Sequence, residues 1–190
     1  MVKVAIINGM PGCGKTTFEI ICKKTVERKS VGFFEHGKFT YVQILSTVDF
    51  VKEIARECGW DGTKTPKNRK FLSNLKALLT EWDDVPTKMI ENIVQREVML
   101  GFNTIFLVDC REPAEIQKLK ERLNATTVLI RRESVESNET SNASDADVFD
   151  YDYDLTIFNN SDIIHLEDEA RKFIEYMKKE EVPHYESRND

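Results

Sequence analysis

The sequence contains few of the residues on which metal centres and acid–base catalysis commonly depend: three histidines and four cysteines among 190 residues. No two cysteines form a Cys-x-x-Cys pair, and all four fall in apparent helices, strands or a glycine loop. This argues against a zinc site or a disulfide framework and favours a reduced, cytoplasmic setting. The histidines lie in a loop, near a helix start and in the tail, so none is a convincing catalytic group.

Positive charge is also in short supply, because 27 Lys and Arg residues stand against 33 Asp and Glu residues. A general nucleic-acid binder needs a basic face, so a nucleic-acid polymer is not an expected partner. No stretch approaches the roughly 20 apolar residues of a membrane helix, and the apolar run at the N-terminus is too short for a signal peptide. We expect no membrane association and a monomer or homodimer, between which the sequence does not decide.

The apolar residues that are present form an alternating pattern. Buried strands are predicted at 2–8, 39–45, 103–109, 126–131 and 154–159, and flanking helices at 15–28, 112–123 and 162–179. Strands that alternate with helices predict an α/β fold of three layers, with a parallel sheet of about five strands covered on both faces. The chain, 1–190, has the length of one domain.

Residues 47–101 interrupt this alternation, because they hold three helical patterns and no strand pattern. Helices are expected at 47–58, 67–81 and 86–100, as a helical substrate-binding insertion beside the sheet. The second of these helices is predicted to have a core face made of Phe71, Leu72, Leu75, Leu78 and Leu79. Ser46 and Asp49 have the spacing of a capping box at the start of the first.

Residues 133–153 are rich in Ser, Asn and Asp and nearly lack aliphatic side chains. Such a composition cannot bury much surface, so the segment is predicted to be mobile in the free protein. Its position after a strand that ends in two arginines makes it a candidate lid.

The strongest motif is Gly-Met-Pro-Gly-Cys-Gly-Lys-Thr at residues 9–16, which matches G-x-x-x-x-G-K-[ST]. Its glycines allow a tight turn that brings backbone N–H groups against phosphate oxygens, and the following helix adds its positive end. Lys15 would reach the β- and γ-phosphates, and the Thr16 hydroxyl would ligate Mg²⁺. The expected ATP-binding residues are Gly9, Met10, Pro11, Gly12, Cys13, Gly14, Lys15, Thr16 and Thr17.

Each of these assignments has an alternative. The whole motif could be a glycine-rich turn that joins a strand to a helix and binds nothing. Cys13 could be a reactive thiol at a helix N-terminus, or it could simply fill an unrestricted position of the loop. The second interpretation of Cys13 is favoured, because phosphoryl transfer needs no thiol.

The end of the third strand supplies a second set of candidates, and no Asn-Lys-x-Asp run occurs that would indicate a guanine-reading GTPase. Asp109 is placed to hold Mg²⁺ through water or to orient an acceptor. Arg111 and Glu112 follow at the carboxyl edge of the sheet, where doubly wound folds bind ligands. Glu112 followed by Pro113 is also typical of a helix start.

Two basic clusters stand out in this acidic chain. One comprises Lys64, Lys67, Arg69, Lys70 and Lys76, and the other comprises Arg131 and Arg132. Arginine offers a planar fork to the oxygens of a transferred phosphoryl group. The first cluster could equally be a solvated helix face, and the second a charged strand end.

Several segments together resemble the phage-type deoxynucleoside monophosphate kinases, which belong with the adenylate-kinase-like P-loop kinases. Besides the phosphate loop, the resemblance is carried by residues 46–53, 59–62, 69–73, 109–113 and 154–160. It covers nearly the whole chain, and the stretch from Trp60-Asp61-Gly62 to Phe71-Leu72-Ser73 is its most particular part.

The resemblance implies a parallel sheet with a helical monophosphate-binding region and a lid, Mg-ATP as donor and a nucleoside monophosphate as acceptor. Arg69 and Arg111 would hold the acceptor phosphate, Arg131 and Arg132 would serve the lid, and Asn159 would lie near the donor base. The full acceptor-binding set is then Ser46, Arg69, Lys70, Asp109, Arg111 and Glu112. The expected catalytic residues are Lys15, Arg111, Arg131 and Arg132, with Mg²⁺ on Thr16 and, through water, Asp109.

The sequence therefore predicts a kinase that moves the γ-phosphoryl group of ATP to a (deoxy)nucleoside monophosphate. Two alternatives remain. One is a kinase of another small phosphorylated acceptor, such as phosphomevalonate. The other is a nucleotide-binding module that senses ATP and phosphorylates nothing.

Overall fold

The computed structural model of the protein describes residues 1–30, 40–136 and 147–179. Its five strands are β1 (Val2–Asn8), β2 (Thr40–Ser46), β3 (Asn103–Asp109), β4 (Thr126–Arg131) and β5 (Leu155–Phe158). They form one sheet in the order β2-β3-β1-β4-β5, in which every pair is parallel. The predicted α/β fold with a five-stranded parallel sheet is confirmed.

The helices are α1 (Lys15–Ser30), α2 (Asp49–Glu57), α3 (Pro66–Asp83), α4 (Val85–Met99), α5 (Pro113–Leu123), α6 (Glu133–Glu136) and α7 (Ile163–Lys178). A short 3₁₀ turn covers Asp147–Phe149. Among the described residues, no helix is long and apolar enough to cross a membrane.

The three layers follow from alternation of side chains along the central strands. In β1, Ala5 and Ile7 face the core that includes Phe18 of α1 and Phe173 of α7, whereas Ile6 faces the opposite core. The second core includes Ile90 and Val94 of α4 with Ile116 and Leu119 of α5. Because successive strand residues point to opposite faces, a continuous apolar run such as that of β1 supplies both cores.

The helices between β2 and β3 differ in how deeply they are buried. α4 covers the sheet directly, and its Ile90 and Val94 are buried. α3, by contrast, has no fully buried residue. The core face predicted for α3 is therefore wrong for Phe71 and Leu78, which are exposed. α3 packs against α2 and α4, and these contacts leave its apolar side chains at most partly buried.

The prediction that residues 133–153 bury little surface is wrong for the end of the segment. Val148 is fully buried and packs with Met10 and Leu129, and Tyr153 packs against two of the cores. A single valine and two tyrosines are enough to attach this part, which a count of aliphatic residues underestimates. Residues 137–146 lie outside the described residues, so the expected mobility of the segment stays a prediction.

A largely buried ion-pair cluster fastens α3 to the start of α5. The Lys76 ammonium lies 2.5 Å from a carboxylate oxygen of Glu112 and 2.8 Å from one of Glu115, at the start of α5. Burial opposes the charge of Lys76, but Glu115 and Glu112 outweigh it and raise its pKa. The side chain of Glu115 is 7% exposed, and burial raises its pKa. The side chain of Glu112 is 40% exposed, and there Lys76 outweighs burial and lowers the pKa.

Lys76→Met should leave the Glu115 carboxylate buried without its cation and lower the free energy of unfolding by about 3 kcal/mol. Lys88→Met is the matched control, because Lys88 pairs with Asp83 where both side chains are about half exposed, and its loss should stay below about 1 kcal/mol. Equilibrium unfolding in urea measures both. Equal losses would show that the Lys76 pair does not fasten α3.

Candidate active site

The phosphate-loop sequence joins β1 to α1 at the carboxyl edge of the sheet. Gly9, Gly12 and Gly14 all have positive φ angles, of 149°, 82° and 98°, a region that side chains disfavour. A methyl group on Gly9 would overlap the backbone carbonyl of Ile130 in β4, and one on Gly14 would overlap the amide of Asn159. The loop therefore has the glycine-dependent path expected of a phosphate cradle.

Some of the remaining loop residues are buried in the core, and the others are exposed to solvent. Met10 and Cys13 are buried, whereas Pro11, Gly12, Thr16 and Thr17 are exposed. Burial raises the pKa of the Cys13 thiol, although Lys15 opposes this. A thiol that stays protonated is a poor nucleophile, which agrees with Cys13 as a filling residue.

Lys15 opens α1, and its ammonium donates to the carbonyl of Gly9 in the same loop. This contact holds the side chain over the cradle. α1 begins at Lys15, so its first N–H groups have no partner within the helix and the positive end of its dipole points at the loop. A helix N-terminus in this position favours anions.

Asn159 and Asn8 hold the loop from two sides. The buried Asn159 amide donates to the Cys13 carbonyl at 2.8 Å, and its backbone N–H donates to the Arg131 carbonyl at 2.7 Å. Asn159, expected near the donor base, thus also supports the loop from below. Sequence reasoning missed Asn8, whose side chain accepts from the N–H of Gly9 at 2.8 Å and donates to the Arg111 carbonyl at 3.2 Å.

Tyr153 connects this network to the end of the candidate lid. Its hydroxyl accepts from the Asn8 amide at 2.8 Å and donates to the Val148 carbonyl at 2.9 Å. Burial raises the pKa of Tyr153 to about 12, so the hydroxyl remains a donor. The segment that ends at residue 153 is therefore fastened beside the loop.

Asp109 lies at the end of β3, directly beside Ile7 of β1 in the sheet register. Burial raises the pKa of its carboxyl group, while Lys15 and Arg111 lower it. The structure thus brings together three of the predicted residues, Lys15, Asp109 and Arg111. They lie at one edge because β1 and β3 are neighbours in a parallel sheet.

Glu19, one turn into α1, is the main residue that sequence reasoning missed. It is 1% exposed, and burial and then Asp109 raise its pKa to about 8, although Lys15 opposes them. Its Oε1 atom has no hydrogen-bond partner in the part of the chain that the structure describes. The sequence does carry a signal, since Glu19 interrupts the stripe that runs to Cys22 and Val26 at helical spacing.

The residues present fit a hard divalent cation such as Mg²⁺. Thr16 contributes a hydroxyl, Asp109 a carboxylate, and Glu19 a buried oxygen without a hydrogen bond. Oxygen ligands of this kind are those that Mg²⁺ prefers. A second group, of Cys110, Glu112 and Glu115, also has metal-like spacing, but its two carboxylates already bind the Lys76 ammonium.

The acceptor-side residues are spread over three elements. Ser46 ends β2 beside Asp109 in the register, and its N–H donates to the Asp49 carboxylate at 2.9 Å. This is one of the two bonds of the predicted capping box, which is incomplete because α2 begins at Asp49 and its N-cap, Val48, makes no side-chain cap bond. Arg69 and Lys70 are exposed on the first turns of α3. Arg69 stands seven residues before Lys76 and so shares its helix face. Glu112, expected to contact the acceptor, binds Lys76 in this structure.

The two lid arginines differ. Arg131 makes two bonds to the Glu136 carboxylate, at 2.9 and 2.6 Å. Its guanidinium also lies 5.3 Å from the ring centre of Phe149 and 5.6 Å from that of Phe158. Arg132 is exposed. Arg131 is thus engaged by neighbouring side chains in this structure, and Arg132 extends toward solvent.

No family model and no curated protein matches the chain. Among solved structures, it is similar to a sugar kinase from Janibacter sp. HTCC2649, with 14% identity and a TM-score of 0.46 over 92% of this chain and 95% of that one. It is also similar to the APS kinase of Mycobacterium tuberculosis in complex with AMPPNP and APS, with 13% identity and a TM-score of 0.41 over 91% and 95%.

A third similar structure is thymidylate kinase from Ehrlichia chaffeensis, with 12% identity and a TM-score of 0.49 over 91% of this chain and 98% of that one. All three proteins are named as kinases. At these identities no family membership follows. The finer resemblance to phage-type deoxynucleoside monophosphate kinases stays a prediction.

Gly9→Ala should be more destabilising than Gly12→Ala. Both residues have positive φ, which costs about 1–2 kcal/mol once a Cβ is present, but only at Gly9 would the methyl group overlap the backbone of β4. The nearest atom to a methyl group at Gly12 is a Val135 methyl carbon at 3.6 Å, an ordinary contact. Urea unfolding of the two variants measures the difference, and equal losses would mean that Ile130 does not constrain the loop.

Proposed function

We propose that the protein is an ATP-dependent kinase that transfers a γ-phosphoryl group to a small phosphorylated acceptor, with a (deoxy)nucleoside monophosphate as the first candidate. One observation carries the proposal. The phosphate loop after β1 and the Asp109–Arg111 end of β3 are adjacent at one sheet edge, so phosphates bound at the two would face each other.

The donor side is formed by the loop and the start of α1. A bound phosphate would accept from the loop N–H groups and from the Lys15 ammonium, which now donates to the Gly9 carbonyl. Thr16 and Asp109 would hold Mg²⁺, which when bound neutralises charge on the phosphate oxygens. Phe158 ends β5 beside Arg131 of β4, and Asn159 follows it at the same edge; these two residues are the proposed surroundings of the donor base.

The acceptor side is formed by the ends of β2 and β3 and by α3. Arg111 would hold the acceptor phosphate beside Asp109, with Ser46 on the neighbouring strand. Arg69 and Lys70 would reach it from α3, which the Lys76 pair orients toward the start of α5. Arginine suits this task, because its planar fork binds two phosphate oxygens at once.

The proposed phosphoryl transfer requires the protein to position the two substrates and to stabilise negative charge. An acceptor phosphate oxygen is already a nucleophile at neutral pH, so no general base is required. The residues align donor and acceptor in line and stabilise the charge of the transferred group. Residues 133–153 would act as a lid that excludes water. Arg132 is exposed and could reach the phosphates directly. Arg131 would first have to exchange its bonds to the Glu136 carboxylate for bonds to a phosphate.

The two alternatives differ from this proposal in the acceptor alone. A phosphomevalonate-like acceptor would use the same donor site, and an ATP sensor would use no acceptor. A coupled assay of ADP release, run with deoxynucleoside monophosphates, ribonucleoside monophosphates and phosphomevalonate, separates the three. Release above background with a nucleoside monophosphate supports the proposal, and the absence of release with any acceptor favours the sensor.

Lys15→Ala should lower kcat by at least about a hundredfold, because it removes a charge-assisted contact to the moving phosphoryl group. Lys23→Ala is the matched control, since Lys23 is an exposed lysine on the same helix, and its kcat should be unchanged. Steady-state kinetics with saturating ATP and acceptor measures both. A near-wild-type rate for Lys15→Ala would contradict a catalytic role for the loop.

Arg69→Lys and Arg111→Lys should each raise the acceptor KM while ATP affinity barely changes, because lysine keeps the charge and loses the bidentate fork. Arg171→Lys on α7, an arginine paired with Asp168, is the control and should change neither. Acceptor titrations and equilibrium ATP binding measure the two sides separately. A loss confined to ATP affinity would mean that these arginines serve the donor.

A further inference from the structure

Glu19 has no role in the proposed transfer reaction, yet its burial lowers the stability of the fold. The residue is 1% exposed and its Oε1 atom lacks a hydrogen-bond partner within the described residues. A buried polar atom without a partner destabilises a protein, and a carboxylate does so more than a neutral group. Selection of a glutamate at this position of α1 therefore needs a partner that is not a side chain of the described structure.

The charged groups near Glu19 show which kind of partner would fit. The electrostatic neighbours of its carboxylate are Asp109, at the end of β3, and Lys15, one turn earlier on α1. The Lys15 ammonium donates to the Gly9 carbonyl rather than to either carboxylate. Arg111 also acts on Asp109, but within the described residues no group donates to Oε1 of Glu19, so this oxygen still lacks a positively charged partner.

We propose that Glu19 and Asp109 together form a divalent-cation site beneath the phosphate loop, which binds Mg²⁺ before any nucleotide arrives. Glu19 supplies the carboxylate oxygen that now lacks a hydrogen bond, either to the ion or to one of its bound waters. Thr16, three residues earlier on the same helix, is the further oxygen donor. The inference rests on the proposed function, whose Mg²⁺ ligands are Thr16 and Asp109, and adds to it Glu19 as a donor and binding of the ion without a nucleotide.

The donor atoms select a hard cation. Carboxylate and hydroxyl oxygens suit Mg²⁺, which keeps several waters and binds through one or two carboxylates. The nearby Cys22 thiol does not change this choice, since burial and then Glu19 raise its pKa and a protonated thiol is not a metal ligand. The competing explanation is that Glu19 is a neutral acid that binds no cation.

Glu19→Gln separates the two explanations, because it keeps the shape of the side chain and removes the charge. Mn²⁺ is the probe, and its binding to nucleotide-free protein is followed by electron paramagnetic resonance with Mg²⁺ as competitor. The wild type should bind one Mn²⁺, and Glu19→Gln should bind it about 10–100-fold more weakly. Glu27→Gln, an exposed glutamate on the same helix, should bind like the wild type.

Absence of Mn²⁺ binding by the wild type, or equal binding by Glu19→Gln and wild type, would overturn the proposal. If Glu19→Gln does not fold, thermal unfolding of the nucleotide-free wild type decides. Mg²⁺ should raise its Tm above that in NaCl of equal ionic strength, and no such rise would overturn the site. Since no nucleotide or acceptor is present, the result is independent of the ADP-release assay, which can fail while the cation site holds.

Discussion

The backbone of Gly9 lies so close to the carbonyl of Ile130 in β4 that no side chain fits between them, and the geometry of the site depends on this approach. It places the loop directly over the junction of β1 and β4. Asn8 and Asn159 then satisfy loop groups that the tight turn leaves without partners, at the Gly9 N–H and the Cys13 carbonyl. Backbone contacts and two amides thus fix the path of the loop.

Charge at the carboxyl edge is concentrated where β1 and β3 meet. Parallel strands end at the same side, and their neighbouring register sets Asp109 beside the start of the loop. Lys15, Arg111 and the two carboxylates of Asp109 and Glu19 are consequently within electrostatic reach of one another. Such a mixed cluster is suited to phosphate and a divalent cation together, because each phosphate charge can be met by lysine, arginine or metal.

The acceptor side depends on a different kind of constraint. α3 has no buried face, so packing alone holds it weakly, and its orientation relies on Lys76 between Glu112 and Glu115. A helix held by one ion pair and by its neighbours α2 and α4 can present the exposed Arg69 and Lys70 without belonging to the core. The phosphate loop is thus set among buried strands, whereas the helix that bears Arg69 and Lys70 lies outside the core.

The sequence by itself determined the strands, the order of the helices and the phosphate loop, because buried strands have continuous apolar runs and the loop needs glycines at set positions. It could not determine that α3 lies away from the core, since apolar spacing does not say which surface a helix meets. The contribution of Val148 and Tyr153 escaped it because a count of aliphatic residues gives little weight to a single valine and none to tyrosine. Glu19 interrupts an apolar stripe in the sequence, but only the fold buries it and brings Asp109 within electrostatic reach, because the free energy of burying a charge depends on neighbours that are distant in the chain.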